Sequence, residues 1–230
     1  MLTMLRKLSF RSKKLILLKC VNGVISTACG KHKGYKMEFM NSKTAENLMK
    51  SFAGESQARM RYTYYASAAK KEGYLQISEI FLETAENEKE HAKLFYKQLL
   101  ANGMNESVVE INAGYPVGLA DTIKNLEYAA NGEQEEWEEL YPAFAKIADE
   151  EGYPEIGNVF RGVAEVETRH EARYRKLMKN IKEHKVFKKD GKVFWICKNC
   201  GHIVEDIEAP EICPVCMHAQ KYFEVWVENY

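Results

Sequence analysis

The stretch ENEKEH, residues 86–91, places Glu88 and His91 three positions apart inside a helical pattern. Outward from it, Ile77, Ile80, Phe81, Ala85, Ala92, Phe95 and Leu99 recur at i, i+3, i+4 and i+7, which is one face of a helix. Glu88 and His91 share that face. A carboxylate and an imidazole are thus aimed at a core where an unpaired charge is strongly disfavoured or loses its ionisation. A metal ion is the simplest compensation.

One Glu-x-x-His is weak evidence, because any charged helix produces it by chance. The pair recurs at Glu167 and His170, again on an apolar stripe of Ile156, Val159, Phe160, Val163, Tyr174, Leu177 and Ile181. The repeat extends further. AKKEGY at 69–74 matches ADEEGY at 148–153, and Tyr62, Phe81, Glu88 and His91 match Tyr141, Phe160, Glu167 and His170, all at an offset of 79. Glu55 matches Glu133 only at 78, so one extra residue lies between Glu133 and Tyr141. A continuous helix absorbs such a residue most easily as a π-turn, and i→i+5 hydrogen bonding is expected there.

The 230 residues suffice for one sizeable core and a second small module. Basic and acidic residues balance at 33 each, but the first 36 positions hold nine Lys or Arg and no acid, which leaves 24 basic against 33 acidic residues. This acidic body argues against a nucleic-acid partner. The longest apolar candidate, LILLKCVNGVIS, is broken by Lys19 and Asn22, so no membrane span and a soluble protein are expected. Residues 1–37 form a basic extension: an organelle-targeting presequence, a tail, or a stretch ahead of a true start at Met37 or Met40, with Cys29 in a vaguely lipoprotein-like context.

Residues 38–184 read as four helices. The first runs from an N-cap at Ser42 or Thr44 to Gly73, with Leu48, Phe52, Glu55, Ala58, Tyr62, Tyr65 and Ala69 on one face. The second spans about Gln76 to Asn102. GMNESVVEINAGYPVG at 103–118 is a crossover loop. The third, about Leu119 to Glu151, aligns Leu119, Ile123, Leu126, Ala130, Glu133, Trp137, Leu140, Tyr141, Phe144 and Ala148, with Glu136 beside Glu133. The fourth follows Pro154 and reaches His184. Two short connections flanking one long one fit a mainly α, ferritin-like four-helix bundle.

Glu55, Glu88, Glu133, Glu136 and Glu167 put five negative charges into one core beside two imidazoles, which two cations would neutralise. One Glu from each of two helices plus Glu-x-x-His from each of the other two is the di-iron or di-manganese carboxylate pattern. Glu136 is surplus to it, so that a metal can exchange a carboxylate for an imidazole. Tyr62 and Tyr141 point inward as candidate supports of the ligands, or as ordinary core residues.

Residues 185–230 form a small β-rich module. Cys197, Cys200, Cys213 and Cys216 make two CxxC pairs twelve residues apart, a four-thiolate site for zinc or a single iron that requires a reducing compartment. Phe194, Trp195, Tyr222, Phe223 and Trp226 suggest short strands around it. Cys20 and Cys29 lack partner spacing.

SFAGESQARMRY, ENEKEHAKLF, ANGEQEEW, EVETRHEARY and CKNCGH…APEICPVCMH together resemble the rubrerythrin family over about residues 38–230. The resemblance implies a ferritin-like di-iron domain followed by a rubredoxin-like domain. It implies two irons held by Glu55, Glu88, His91, Glu133, Glu136, Glu167 and His170, one iron moving between the positions of Glu136 and His91, and an FeS4 centre at the four cysteines. It further implies reduction of hydrogen peroxide to water in oxidative-stress defence, with Tyr62 and Tyr141 in the catalytic set. Electrons would come from rubredoxin or from NADH through a separate NAD(P)H-dependent reductase, within a head-to-tail homodimer. The expected location is the cytoplasm, or an organelle of an anaerobic eukaryote if the extension is a presequence. The rival readings are a ferroxidase or iron-storage protein with a zinc knuckle, and a non-enzymatic helical bundle with a zinc-ribbon interaction module.

Overall fold

Ser42 opens the first helix: its hydroxyl accepts the Ala45 N–H at 3.1 Å, and α1 runs Lys43–Glu72. It stops where Gly73 turns left-handed, at φ 90°. The same device recurs at Gly152, φ 86°, seventy-nine residues on. In this computed structural model, which describes residues 39–230, the remaining helices are α2 (Leu75–Ala101), α3 (Thr122–Glu135), α4 (Tyr141–Glu150) and α5 (Pro154–Lys182). Cys20, Cys29, Met37 and the rest of the basic extension lie outside the described residues. No helix among the described residues is long and apolar enough to cross a membrane.

Between α3 and α4 the backbone forms a π-turn, Glu136–Leu140, in which the Tyr141 N–H donates to the Glu136 carbonyl. The extra residue of the second repeat is accommodated in that turn. Pro142 follows it and brings no N–H to a ladder that already skips a bond. The turn re-aims a side chain. Glu136 corresponds to Ala58 at the offset of 78, and Ala58 is buried in the core whereas Glu136 is half-buried. Deleting the exposed Glu139 should restore a regular helix and press the Glu136 carboxylate into an Ala58-like position. The expected cost is on the order of 3 kcal/mol in thermal or denaturant unfolding, recovered when Glu136→Ala is added.

The turn also explains where the inward pattern of the third helix breaks. Leu140, expected inside, is 36% exposed because it lies in the wide turn. Leu119, also expected inside, is 64% exposed because the helix starts only at Thr122, after an N-cap in which Asp121 accepts the Lys124 N–H at 2.8 Å.

Two apolar clusters sandwich the acidic middle of the bundle. One packs Ala58, Tyr62, Tyr65, Phe81, Leu126 and Tyr174, the other Phe39, Leu48, Phe95, Tyr141, Ile156 and Phe160. Each half of the chain also closes the other. Glu72, at the end of α1, accepts the Thr122 N–H at the start of α3 with both oxygens at 3.1 Å. Glu151, just past α4, accepts the Lys43 and Thr44 N–H groups at 2.9 and 2.8 Å and the Thr44 hydroxyl at 2.6 Å, at the start of α1. Partial burial works against the Glu151 charge, but the Thr44 hydroxyl and the two amides hold its carboxyl below the usual range. Glu151→Ala should cost about 1 kcal/mol at neutral pH. Because the folded pKa is depressed, that contribution is present above the unfolded carboxyl pKa and vanishes as pH falls through the folded one, so mutant and parent unfolding curves converge in acid.

Beyond α5 the chain forms a three-stranded antiparallel sheet, β1 (Lys188–Cys197), β2 (Ile203–Glu208) and β3 (Phe223–Val225), in the order β2-β1-β3. Trp195 is fully buried in it and donates its Nε1–H to the Asp206 carbonyl at 3.0 Å. The sheet module sits against the first turns of α2, where Lys198 bridges Glu79 at 3.6 Å and Glu224 at 3.0 Å.

Candidate metal centres

Four helices each present acid to the bundle midplane: Glu55 from α1, Glu88 and His91 from α2, Glu133 from α3, Glu167 and His170 from α5. All six are at most 8% exposed. Their donor atoms form two clusters, Glu55–Glu88–His91–Glu167 and Glu88–Glu133–Glu167–His170, within each of which every ligand atom lies within 4.8 Å of the others. Glu88 and Glu167 belong to both. Two cations would be held here by those two shared carboxylates together with Glu55 and His91 on one side and Glu133 and His170 on the other.

The distances are those of a site built for cations. His91 Nδ1 lies 2.8 Å from Glu88 and 2.9 Å from Glu167, and His170 Nδ1 lies 2.6 Å from Glu167 and 3.3 Å from Glu88. Of these contacts only His91 to Glu88 is aligned as a hydrogen bond; both Glu167 oxygens, Glu88 Oε1 and His170 Nδ1 face one another out of alignment, and Glu55 Oε2 and Glu133 Oε2 are buried with no hydrogen-bond partner. Such convergent orphaned donors are disfavoured in an apolar core, and ions of iron type fit their carboxylate and imidazole chemistry.

Charge and burial shift these groups together in the chain without metal. Burial raises the Glu55 carboxyl well above its ordinary range, reinforced by Glu136, Glu88 and Glu167. Glu133 is pushed to about 8 by burial, then by Glu88 and Glu167. Burial alone would lower the imidazoles, but Glu167 and Glu88 lift His91 to about 9, and Glu133, Glu167 and Glu88 lift His170 to about 12.

Tyr62 and Tyr141 cross over between the halves. Tyr62 on α1 donates its hydroxyl to Glu133 Oε1 on α3 at 2.5 Å, and Tyr141 on α4 donates to Glu55 Oε1 on α1. Both rings are buried, and each hydroxyl fixes one oxygen of a terminal carboxylate so that the other points at the cluster.

Glu136 stands apart. It belongs to neither cluster and instead lines a cavity of about 320 Å³ together with Arg61 and Tyr141. His91 therefore occupies the Glu55 side in this structure, and the seventh candidate ligand waits at the edge. Burial, then the charges of Glu133, Glu167 and Glu88, holds the Glu136 carboxyl well above its ordinary range. Arg61 was not foreseen as part of the site. Its Nε–H donates to Gln57 Oε1 at 2.6 Å, one helical turn back, and the only sequence hint is that Gln57-to-Arg61 spacing beside Tyr62.

At the sheet module, Cys197 and Cys216 sulfurs lie 3.7 Å apart, as do those of Cys200 and Cys213. That is no disulfide. A tetrahedral ion bound at about 2.3 Å per sulfur gives sulfur-to-sulfur edges of about 3.8 Å. The two loops are copies of each other: the Cys197 N–H donates to the His202 carbonyl and the Cys213 N–H to that of His218, both at 2.8 Å. Cys216 is drawn down to about 6, chiefly by the His218 N–H directed at it.

Comparison with known proteins agrees with this geometry. The Rubrerythrin family profile matches residues 46–178, and that of the rubrerythrin rubredoxin-like domain matches residues 195–224. Rubrerythrin of Clostridium perfringens is 62% identical over 190 residues, covering 82% of this chain and 97% of that protein. Rubrerythrin of Nitratidesulfovibrio vulgaris is 48% identical over the same length, covering 82% and 97%. Among solved structures, partially reduced nigerythrin aligns with a TM-score of 0.54 at 30% identity, over 91% of this chain and all of that one. A bacterioferritin of Desulfovibrio desulfuricans, at 22% identity and TM-score 0.56 over 68% of this chain and 87% of that one, shares the bundle fold.

Proposed function

From the premise that the chain belongs to the rubrerythrin family, a di-iron family of oxidative-stress defence, we propose that it is a peroxidase reducing hydrogen peroxide to water. The observation that carries this reading is the pair of four-residue clusters sharing Glu88 and Glu167, on the same chain as a four-cysteine knuckle. Storage of iron needs no such knuckle.

When bound, an iron pair supplies two electrons and Lewis acidity to the O–O bond. The side chains do the rest. Glu88 and Glu167, common to both clusters, would help hold both ions, Glu55 with His91 would help hold one and Glu133 with His170 the other, and the Tyr62 and Tyr141 hydroxyls keep the Glu133 and Glu55 carboxylates aimed. Glu136, whose carboxyl burial and the neighbouring acids hold well above its ordinary range, lines the cavity, where it is placed to exchange a proton. Cys197, Cys200, Cys213 and Cys216 would hold the single iron through which electrons return, supplied by rubredoxin or by an NAD(P)H-dependent reductase. Thiolates of this kind suit a reducing compartment such as the cytoplasm.

Lys198 of the knuckle touches α2 at Glu79, and the nine residues from there to Glu88 span about 14 Å of helix axis. A head-to-tail homodimer, in which each knuckle serves its partner's bundle, belongs to this reading. Mixing a Cys197→Ser chain with a Glu88→Ala chain should then restore peroxidase activity that neither has alone; no rescue means transfer within one chain.

The decisive experiment is anaerobic stopped-flow. The fully reduced, iron-reconstituted chain is mixed with one equivalent of peroxide and the FeS4 colour is followed. Return of colour faster with peroxide than with oxygen is the expected result. Return driven only by oxygen would move the assignment to ferroxidase chemistry, and a colourless oxidised protein would indicate zinc in the knuckle.

A further inference from the structure

The crossover segment is tied to α1, where the Tyr65 hydroxyl donates to the Gly118 carbonyl at 2.9 Å, and a cavity lies between them. Tyr115 donates its hydroxyl to the Lys50 carbonyl at 3.0 Å, spanning the cavity of about 320 Å³ between the crossover, α1 and the π-turn. Tyr115, Leu140 and Phe144 supply apolar wall, Arg61 supplies charge, Glu136 supplies a carboxyl, and buried Tyr141, whose hydroxyl holds Glu55, forms part of the lining.

Its room is made at two equivalent positions. Gly54 and Gly132 line it, each immediately before a candidate ligand, Glu55 and Glu133. A Cβ on Gly132 would meet nothing nearer than Arg61 Nη2 at 3.9 Å, and one on Gly54 nothing nearer than Tyr115 at 3.7 Å. None of the six cluster ligands lines the cavity; it meets the centre through Tyr141, whose hydroxyl holds Glu55, and through Glu136. Hydrogen peroxide needs only about 60 Å³, twice the share of a water molecule, and has no carbon to place against such walls. The volume instead enters the range of pockets for small organic molecules, about 300–1,000 Å³, with apolar walls and a few convergent polar groups.

We propose that this cavity seats an organic hydroperoxide with a compact hydrophobic group, as a second substrate class of the same centre. The proposal deepens the peroxidase reading and rests on it. The reaction is ROOH + 2 e⁻ + 2 H⁺ → ROH + H₂O. The O–O bond breaks, an O–H bond forms on each oxygen, the electrons come from the reduced chain itself and the protons come from solvent. The alkyl group lies against Leu140, Phe144 and Tyr115, and the peroxide end lies toward Tyr141.

The test uses cumene hydroperoxide beside hydrogen peroxide on the reduced, iron-reconstituted full chain, with cumyl alcohol quantified as product. In parallel, saturation-transfer NMR follows cumyl alcohol on the metal-free chain. The two substrates should have kcat/KM values within about tenfold of each other, with one alcohol formed per hydroperoxide. Leu140→Trp, and independently Ala113→Trp on the exposed crossover, should each lower the ratio of cumene hydroperoxide to hydrogen peroxide kcat/KM by about tenfold or more, and abolish the NMR transfer. Two variants on different elements guard against one that misfolds. If hydrogen peroxide is reduced and cumene hydroperoxide is not, the proposal is overturned and the peroxidase reading stands. If neither is reduced, both fall. Absence of transfer to the parent chain, or transfer that survives both tryptophans, overturns the assignment to this cavity.

Discussion

Glu88→Ala is expected to empty both metal positions at once and to lower peroxide turnover by on the order of a thousandfold or more. The reason is topological. Glu88 belongs to both four-residue clusters, so its loss removes a ligand from each prospective ion and leaves His91 and His170 facing one shared carboxylate, Glu167. Glu55→Ala touches only one cluster and should leave one ion per chain. Metal content by elemental analysis separates the two variants, and equal content in both would contradict the assignment of Glu88 to both ions. The metal-free Glu88→Ala chain should nevertheless fold, because removing one of several crowded acids relieves repulsion and desolvation even as it opens a void.

Metal loading is expected to release protons and to weaken steeply in acid. In the metal-free chain Glu133 lies at about 8, His91 at about 9 and His170 at about 12, so all three carry a proton at neutral pH that an incoming ion must displace. The sign follows directly. Below each of these values every displaced proton costs a factor of ten in apparent affinity per unit of falling pH, and two or three of them give on the order of 10²–10³ per unit. Calorimetric titration with cobalt or ferrous ions in buffers of different ionisation enthalpy reads the proton count from the slope. A slope of zero would mean that the ligands are already deprotonated before the ion arrives.

Much of this centre was legible from residue spacing. Glu-x-x-His on an apolar stripe, found twice at an offset of 79, named both helices that carry the ligand pairs, and the change to 78 at Glu133 located the π-turn of residues 136–140. Periodicity reports which face of a helix a side chain occupies and nothing about distances between helices. It therefore grouped Glu136 with the other acids and could not show that Glu136 also lines a cavity with Arg61. For the same reason it placed Tyr62 and Tyr141 inside without showing that each hydroxyl reaches a carboxylate of the opposite half. The Glu72 and Glu151 caps were invisible because glutamates at the end of a helix look like ordinary solvated charge until the neighbouring N-terminus is in place. The four cysteines were the easiest reading, since CxxC spacing is short enough for sequence to fix geometry.

Those two caps carry a consequence for ancestry. A lone α1–α2 hairpin would have an open N-terminus, an idle Glu72 and half a ligand set. Two copies related by a twofold axis would cap one another and assemble both clusters, as a self-complementary symmetric pair does. The chain can thus be viewed as a fused homodimer, with residues 102–121 as the joint. Separately expressed halves, 39–103 and 119–184, should seek each other out, and the asymmetry of the present bundle, concentrated in one additional residue and one additional glutamate, marks where the duplicated copies diverged.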